Sequence, residues 1–241
     1  MHHLVTALFI FASALASYPA GADTLQLARN EFAAEQAVAA LVLQDIYTRA
    51  GLKFTVTPMP GARANSSALA GKVDGEVARV QSYADKNPAL IRLDTPYYYL
   101  TTVAFARADK KLAIKTRDDL AGLEVGYVRG IVHAEMQTTH LENVTVISAY
   151  DRMYEMLQAG RIDVALDTGA NGAYMINKLG LTDLQPVGTL AKHDLFHILH
   201  SSRRDLVPRI QTAIKQLRDS RQLKNIVRQR EEQFLNSDMT P

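Results

Sequence analysis

Several polar residues are spaced as if to meet a small charged molecule. Arg79, in the run Gly71-Lys72-Val73-Asp74-Gly75-Glu76-Val77-Ala78-Arg79, offers a planar guanidinium fork that matches a carboxylate. Its plain alternative is an internal salt bridge with Glu76, three positions away. Arg63 follows the irregular Pro58-Met59-Pro60-Gly61 and reads as either a cleft residue or a surface arginine. Tyr97, Tyr98 and Tyr99 could build an aromatic wall with polar tips, with Tyr97 and Tyr99 on one face if the run is a strand. Arg129 and Gly130 stand where a strand gives way to a helix, where free N–H groups attract anions. Asp167 and Thr168 end another strand and could meet an ammonium or hydroxyl, or simply cap the next helix.

His193, His197 and His200 have metal-like spacing, but DLFHILH (Asp194–His200) alternates like a strand and splits His197 from His200. No metal or cofactor is expected. His133 and His140 read as surface residues of a helix.

The elements that would position these groups alternate. Thr24–Ala28 reads as a strand, Glu31–Ala50 as a helix stopped by Gly51, and Lys53–Thr57 as a strand. A helix over 62–70 and a strand over 73–80 follow. The same style recurs later: strands over 123–128, 144–147 and 162–166, and helices over 131–141, 150–159 and 169–179. The end, 205–234, is expected to be helical. Such alternation implies α/β architecture with mostly parallel sheets flanked by helices. AGKVD (Ala70–Asp74) recurs as AGRID (Ala159–Asp163) at an offset of 89 residues, which suggests two lobes on one plan. Strand ends at Arg79 and at Asp167-Thr168 would then face one cleft.

The chain has 241 residues, no Cys and a formal charge of +2, with both signs dispersed. Cysteine chemistry and disulfides are excluded, and nothing favours nucleic acid. Residues 1–22 lack Lys, Arg, Asp and Glu and hold an apolar run, Leu4–Ala16, followed by Ala20-Gly21-Ala22. This pattern is expected of a cleaved signal peptide without a lipid anchor, and so of a periplasmic protein.

The motifs Gly71–Arg79, Asn87–Arg92, Pro96-Tyr97-Tyr98, Thr116–Gly130 and Ala159–Asp163, in this order, resemble those of the bacterial extracellular solute-binding proteins of family 3, the amino-acid type, in a divergent branch. The resemblance implies a type II periplasmic-binding-protein fold. Lobe 1 would comprise 23–106 and 198–241, and lobe 2 residues 107–197. It implies a monomer that captures a small polar ligand, an amino acid or related carboxylate, by hinge closure and delivers it to an ABC-type permease. Two alternatives are a dehydratase-like enzyme on the same fold, with Glu76 or Asp167 as its acid, and a sensor subunit acting on a membrane receptor. Where common members carry Thr-x-x-Arg, this chain reads Tyr83-Ala84-Asp85-Lys86-Asn87, and Thr168 stands where their ammonium-binding Asp belongs.

Overall fold

The computed structural model describes residues 24–85 and 87–237, so the expected signal peptide lies outside the described residues. Two units of identical plan succeed one another. The first runs β1 (Leu25–Asn30), α1 (Ala34–Ala50), β2 (Phe54–Met59), α2 (Gly61–Leu69) and β3 (Gly75–Val80), with parallel strands in the order β2-β1-β3. The short helix α3 (Gln81–Asp85), the short strand β4 (Leu90–Arg92) and the long strand β5 (Tyr98–Arg107) lead out of it.

The second unit runs β6 (Val125–Val128), α4 (Val132–Thr138), β7 (Val144–Ile147), α5 (Tyr150–Gln158) and β8 (Val164–Thr168), again parallel, in the order β7-β6-β8. The AGKVD and AGRID segments occupy the same place in each unit, before β3 and β8. α6 (Gly169–Leu179) then leads to β9 (Leu184–His200), which returns to the first unit.

β5 and β9 cross between the lobes as an antiparallel pair, in register from Tyr98–Leu195 to Arg107–Leu184. β8 joins β5 from Thr102 onward, and β3 joins β9 over Leu195–Leu199. One continuous sheet therefore links both lobes, in the order β2-β1-β3-β9-β5-β8-β6-β7 with β4 beside β9. Along β9 the register shifts opposite Thr102/Val103 and Ala104/Phe105, leaving Leu190 and Val187 as extra residues.

The first lobe's core joins α1 to Leu25, Leu27, Tyr97 and Tyr98 of the strand layer and to the C-terminal helices. The helical end expected over 205–234 consists of two helices, α7 (Val207–Asp219) and α8 (Gln222–Leu235). Arg221 takes a left-handed conformation between them, and the turn lets both helices pack on α1. In the second lobe Met153, Tyr154, Leu157 and Phe105 form a cluster on one side of the sheet, and Ile114, Leu120, Tyr127 and Leu166 form another. Burying these apolar stripes is what holds each helix to its sheet.

Candidate functional site

The carboxyl ends of the parallel strands of both lobes open onto one cleft of about 780 Å³. This is where α/β sheets place ligands, because loops and helix starts converge there. From the first lobe come Asn30, Phe32 and Glu35 after β1, and Val80, Gln81 and Ser82 at the end of β3. The second lobe supplies Gly130, Ile131, Val132, His133 and Met136 after β6, Tyr150 after β7, and Thr168. Leu100 and the stretch from Lys192 to Asp194 belong to the crossing strands.

The walls are unusually apolar for a surface. Five large apolar side chains are exposed among the described residues, and four of them, Phe32, Val80, Val132 and Met136, line this cleft. Phe32 and Val132 are each 64% exposed and belong to opposite lobes. An exposed apolar patch of this kind marks an interaction surface.

The polar groups cluster where the lobes touch. Thr168 caps α6: its hydroxyl accepts from the Asn171 backbone N–H at 3.1 Å and donates to Glu35 Oε2 at 3.2 Å, across the lobe junction. Glu35 sits in the first turn of α1, where a carboxylate favours the helix dipole. Burial holds its carboxyl above the usual carboxylate range. Beneath Thr168, Asp167 is fully buried and accepts from the Thr168 backbone N–H, Asn171 Nδ2 and Tyr154 Oη at 2.7, 2.7 and 3.1 Å. Desolvation pushes Asp167 up to about 7 against the pull of those three donors. His133 pairs through Nδ1 with Thr102 Oγ1 at 2.9 Å, and burial, with His193 nearby, lowers it to about 4. It is thus a cleft residue in a hydrogen-bonded niche, where the sequence suggested a surface one.

Of the residues singled out by sequence, Gly130 and Thr168 line the cleft. Gly130 has φ +83° with open space around it, so glycine serves the backbone there rather than a close contact. The other proposed ligand-binding residues lie elsewhere. Arg79 is tied to Glu76 by an ion pair, with Nε to Oε2 at 2.6 Å, and its guanidinium lies 4.7 Å from the Tyr83 ring. Glu76 is fully buried and also accepts from the Tyr83 hydroxyl. Arg63 is exposed on α2 and Arg129 is exposed beyond β6.

Tyr97 is in the core, its hydroxyl donating to the Val77 carbonyl at 2.8 Å. Tyr99 and Tyr98 both donate to Glu231 Oε1, at 2.9 and 3.1 Å, and their rings stack 5.0 Å apart, so the expected alternation of faces fails at this strand start. The three tyrosines line a separate groove against α8. His197 is buried, with Tyr47 Oη 2.8 Å from Nε2; His193 lies in the cleft, and His200 pairs with Ser202.

Phe32, Glu35, His133, Met136 and Tyr150 were not among the candidates drawn from sequence. The signal that could have found them is position: each follows the carboxyl end of a parallel strand.

No family model matches the sequence. An uncharacterized protein of Shewanella oneidensis is 27% identical over 184 residues, covering 72% of this chain and 69% of that protein. Among solved structures, the open substrate-binding domain 2 of Lactococcus lactis GlnP is similar at TM-score 0.67 and 16% identity, covering 90% of this chain and 97% of the other. A histidine kinase sensor domain with similarity to periplasmic binding proteins matches at TM-score 0.62 and 20% identity, covering 91% and 98%. The amino acid ABC transporter substrate-binding protein AbpA of Streptococcus pneumoniae, bound to L-arginine, matches at TM-score 0.62 and 17% identity, covering 89% and 97%. From its paired lobes, its crossing strands and these likenesses, the chain has the two-lobed fold of the periplasmic binding proteins.

Proposed function

We propose that this protein is a non-enzymatic, periplasmic ligand-capture protein that closes its two lobes on a small organic molecule and presents the closed form to a membrane partner, a permease of the ABC type. The observation that carries this reading is the cleft itself, with four exposed apolar side chains on its walls and the Glu35–Thr168 hydrogen bond at its floor. Water-exposed apolar surface is costly in the open form, and a ligand with an apolar body would bury it. Glu76 and Asp167, the acids a dehydratase-like reaction would use, are fully buried and absent from the cleft lining, which supports capture over catalysis. The likeness to a sensor domain supports a second partner, a membrane receptor acting in trans.

The test is a ligand screen by thermal shift, followed by small-angle scattering. A true ligand at 100 times its Kd adds about 2.7 kcal/mol of stability and reduces the radius of gyration. Val132→Trp, which puts a bulky ring into the space between the two walls, should abolish both effects. Retention of both effects in that variant would sink the reading.

A further inference from the structure

The chain's net charge is +2, but its cleft has the opposite sign. Glu35, Asp85 and Asp194 line it, against a single lysine or arginine side chain among the described residues, Lys192. The Lys192 ammonium is itself placed over the Tyr99 ring, 4.1 Å from its centroid, toward the neighbouring groove. Arg79 is held by Glu76. Among the described residues no guanidinium lines the cleft, and the Asn171 backbone N–H at the start of α6 is already capped by Thr168. Among the described residues the cleft thus offers a carboxylate one ammonium and no guanidinium fork, against three acidic side chains that would repel it.

The opposite requirement is met. Glu35 stands at the floor of the cleft, and its only side-chain hydrogen-bond partner among the described residues is the Thr168 hydroxyl. No lysine, arginine or histidine forms an ion pair with it there. A first-turn acid that served only the helix dipole would do so equally well facing bulk water. Here it points to the lobe junction, with Tyr150 beside it and Phe32, Val132 and Met136 above.

We infer that the cleft recognises an organic ammonium ion with an apolar body and no carboxylate, its charged end held by Glu35 and Thr168 and its body between Phe32 and Val132–Met136. This rests on the proposed ligand-capture reading and names its ligand class. An ammonium donates up to three hydrogen bonds, and Glu35 has acceptor capacity to spare.

The test uses the full chain and pairs of probes that differ by a carboxylate: phenethylamine against phenylalanine, isoamylamine against leucine, cadaverine against lysine. Calorimetry should give at least one amine that binds tenfold or more tightly than its amino acid. Glu35→Gln, which keeps an acceptor for Thr168, should weaken that amine at least tenfold, and the unliganded variant should melt no lower than the parent. Preference for the amino acid in every pair, unchanged amine affinity in Glu35→Gln, or no binding by any amine would each overturn the assignment. Val132→Trp, which blocks the cleft without adding charge, separates the two levels. If an amino acid is preferred but lost in this variant, the cleft remains the site and only the ammonium class falls. If binding survives it, the capture reading falls as well.

Discussion

Replacing Asp167 with Asn should remove the pH dependence of stability that this carboxyl contributes at the lobe 2 strand end. Asp167 is fully buried, and its carboxyl is lifted from an ordinary 3.8 to about 7 by desolvation, opposed by its three donors and helped by nearby Glu35. The folded state therefore binds this proton more tightly than the unfolded chain does. Its stabilising contribution is fully present below about pH 4 and is lost as pH rises through 7. A rise of about three pH units corresponds to about 4 kcal/mol. Glu35, also raised, slopes the same way. His133 and His197, both lowered to about 4 by burial, slope oppositely, gaining stability as pH climbs toward 6.5.

Urea unfolding followed by far-UV circular dichroism, suited to a chain without Trp, should be run on both proteins from pH 4 to 8.5. Groups common to both cancel in the difference. Relative to the parent, Asp167→Asn should gain about 3–4 kcal/mol between the acid and alkaline ends. A difference curve flat to within about 1 kcal/mol would refute the reasoning: Thr168, Tyr154 and Asn171 would then be holding Asp167 ionised throughout.

Two further substitutions probe the surroundings of the cleft. Arg79→Ala should cost about 3 kcal/mol in urea unfolding, because it strands the fully buried Glu76 carboxylate, and calorimetry should find cleft-ligand affinity unchanged. Gly172→Ala should cost about 1–3 kcal/mol in the same assay, since a Cβ there would come within 2.3 Å of two ring atoms of Phe105 and 2.7 Å of the Tyr154 hydroxyl that donates to Asp167.

The elements were legible in the sequence because each lobe buries its helices and strands with regular periodicity, and α6 begins and ends where its residues predict. The duplicated plan was visible in the AGKVD and AGRID segments. The site was only partly legible. Arg79 sits three residues from Glu76, which in a regular strand would put them on opposite faces. An extra residue in β3 between them, opposite β9, turns both to one side, and no local pattern announces that bulge. Glu35 reads as an ordinary first-turn acid, and Met136 and Val132 as members of an amphipathic helix face. Their meeting with Phe32 depends on how two lobes, a hundred residues apart in sequence, are set by β5 and β9.

The ladder between those two strands has a mechanical consequence. Two separate linkers would swing freely, but ten registered residue pairs make a ribbon, and a ribbon resists bending while it yields to torsion. Any closure of the cleft has to pass through it, and the compliant points are the extra residues Val187 and Leu190, where the ladder is interrupted. The two are not equivalent: the Val187 carbonyl is pinned by the Ile114 N–H at 2.9 Å, and at Gly188 an added Cβ would lie 1.8 Å from the Ile114 carbonyl oxygen. The ladder is therefore held by a backbone hydrogen bond at Val187 and by side-chain packing at Leu190, and the work of twisting the ribbon would be subtracted from every ligand's affinity.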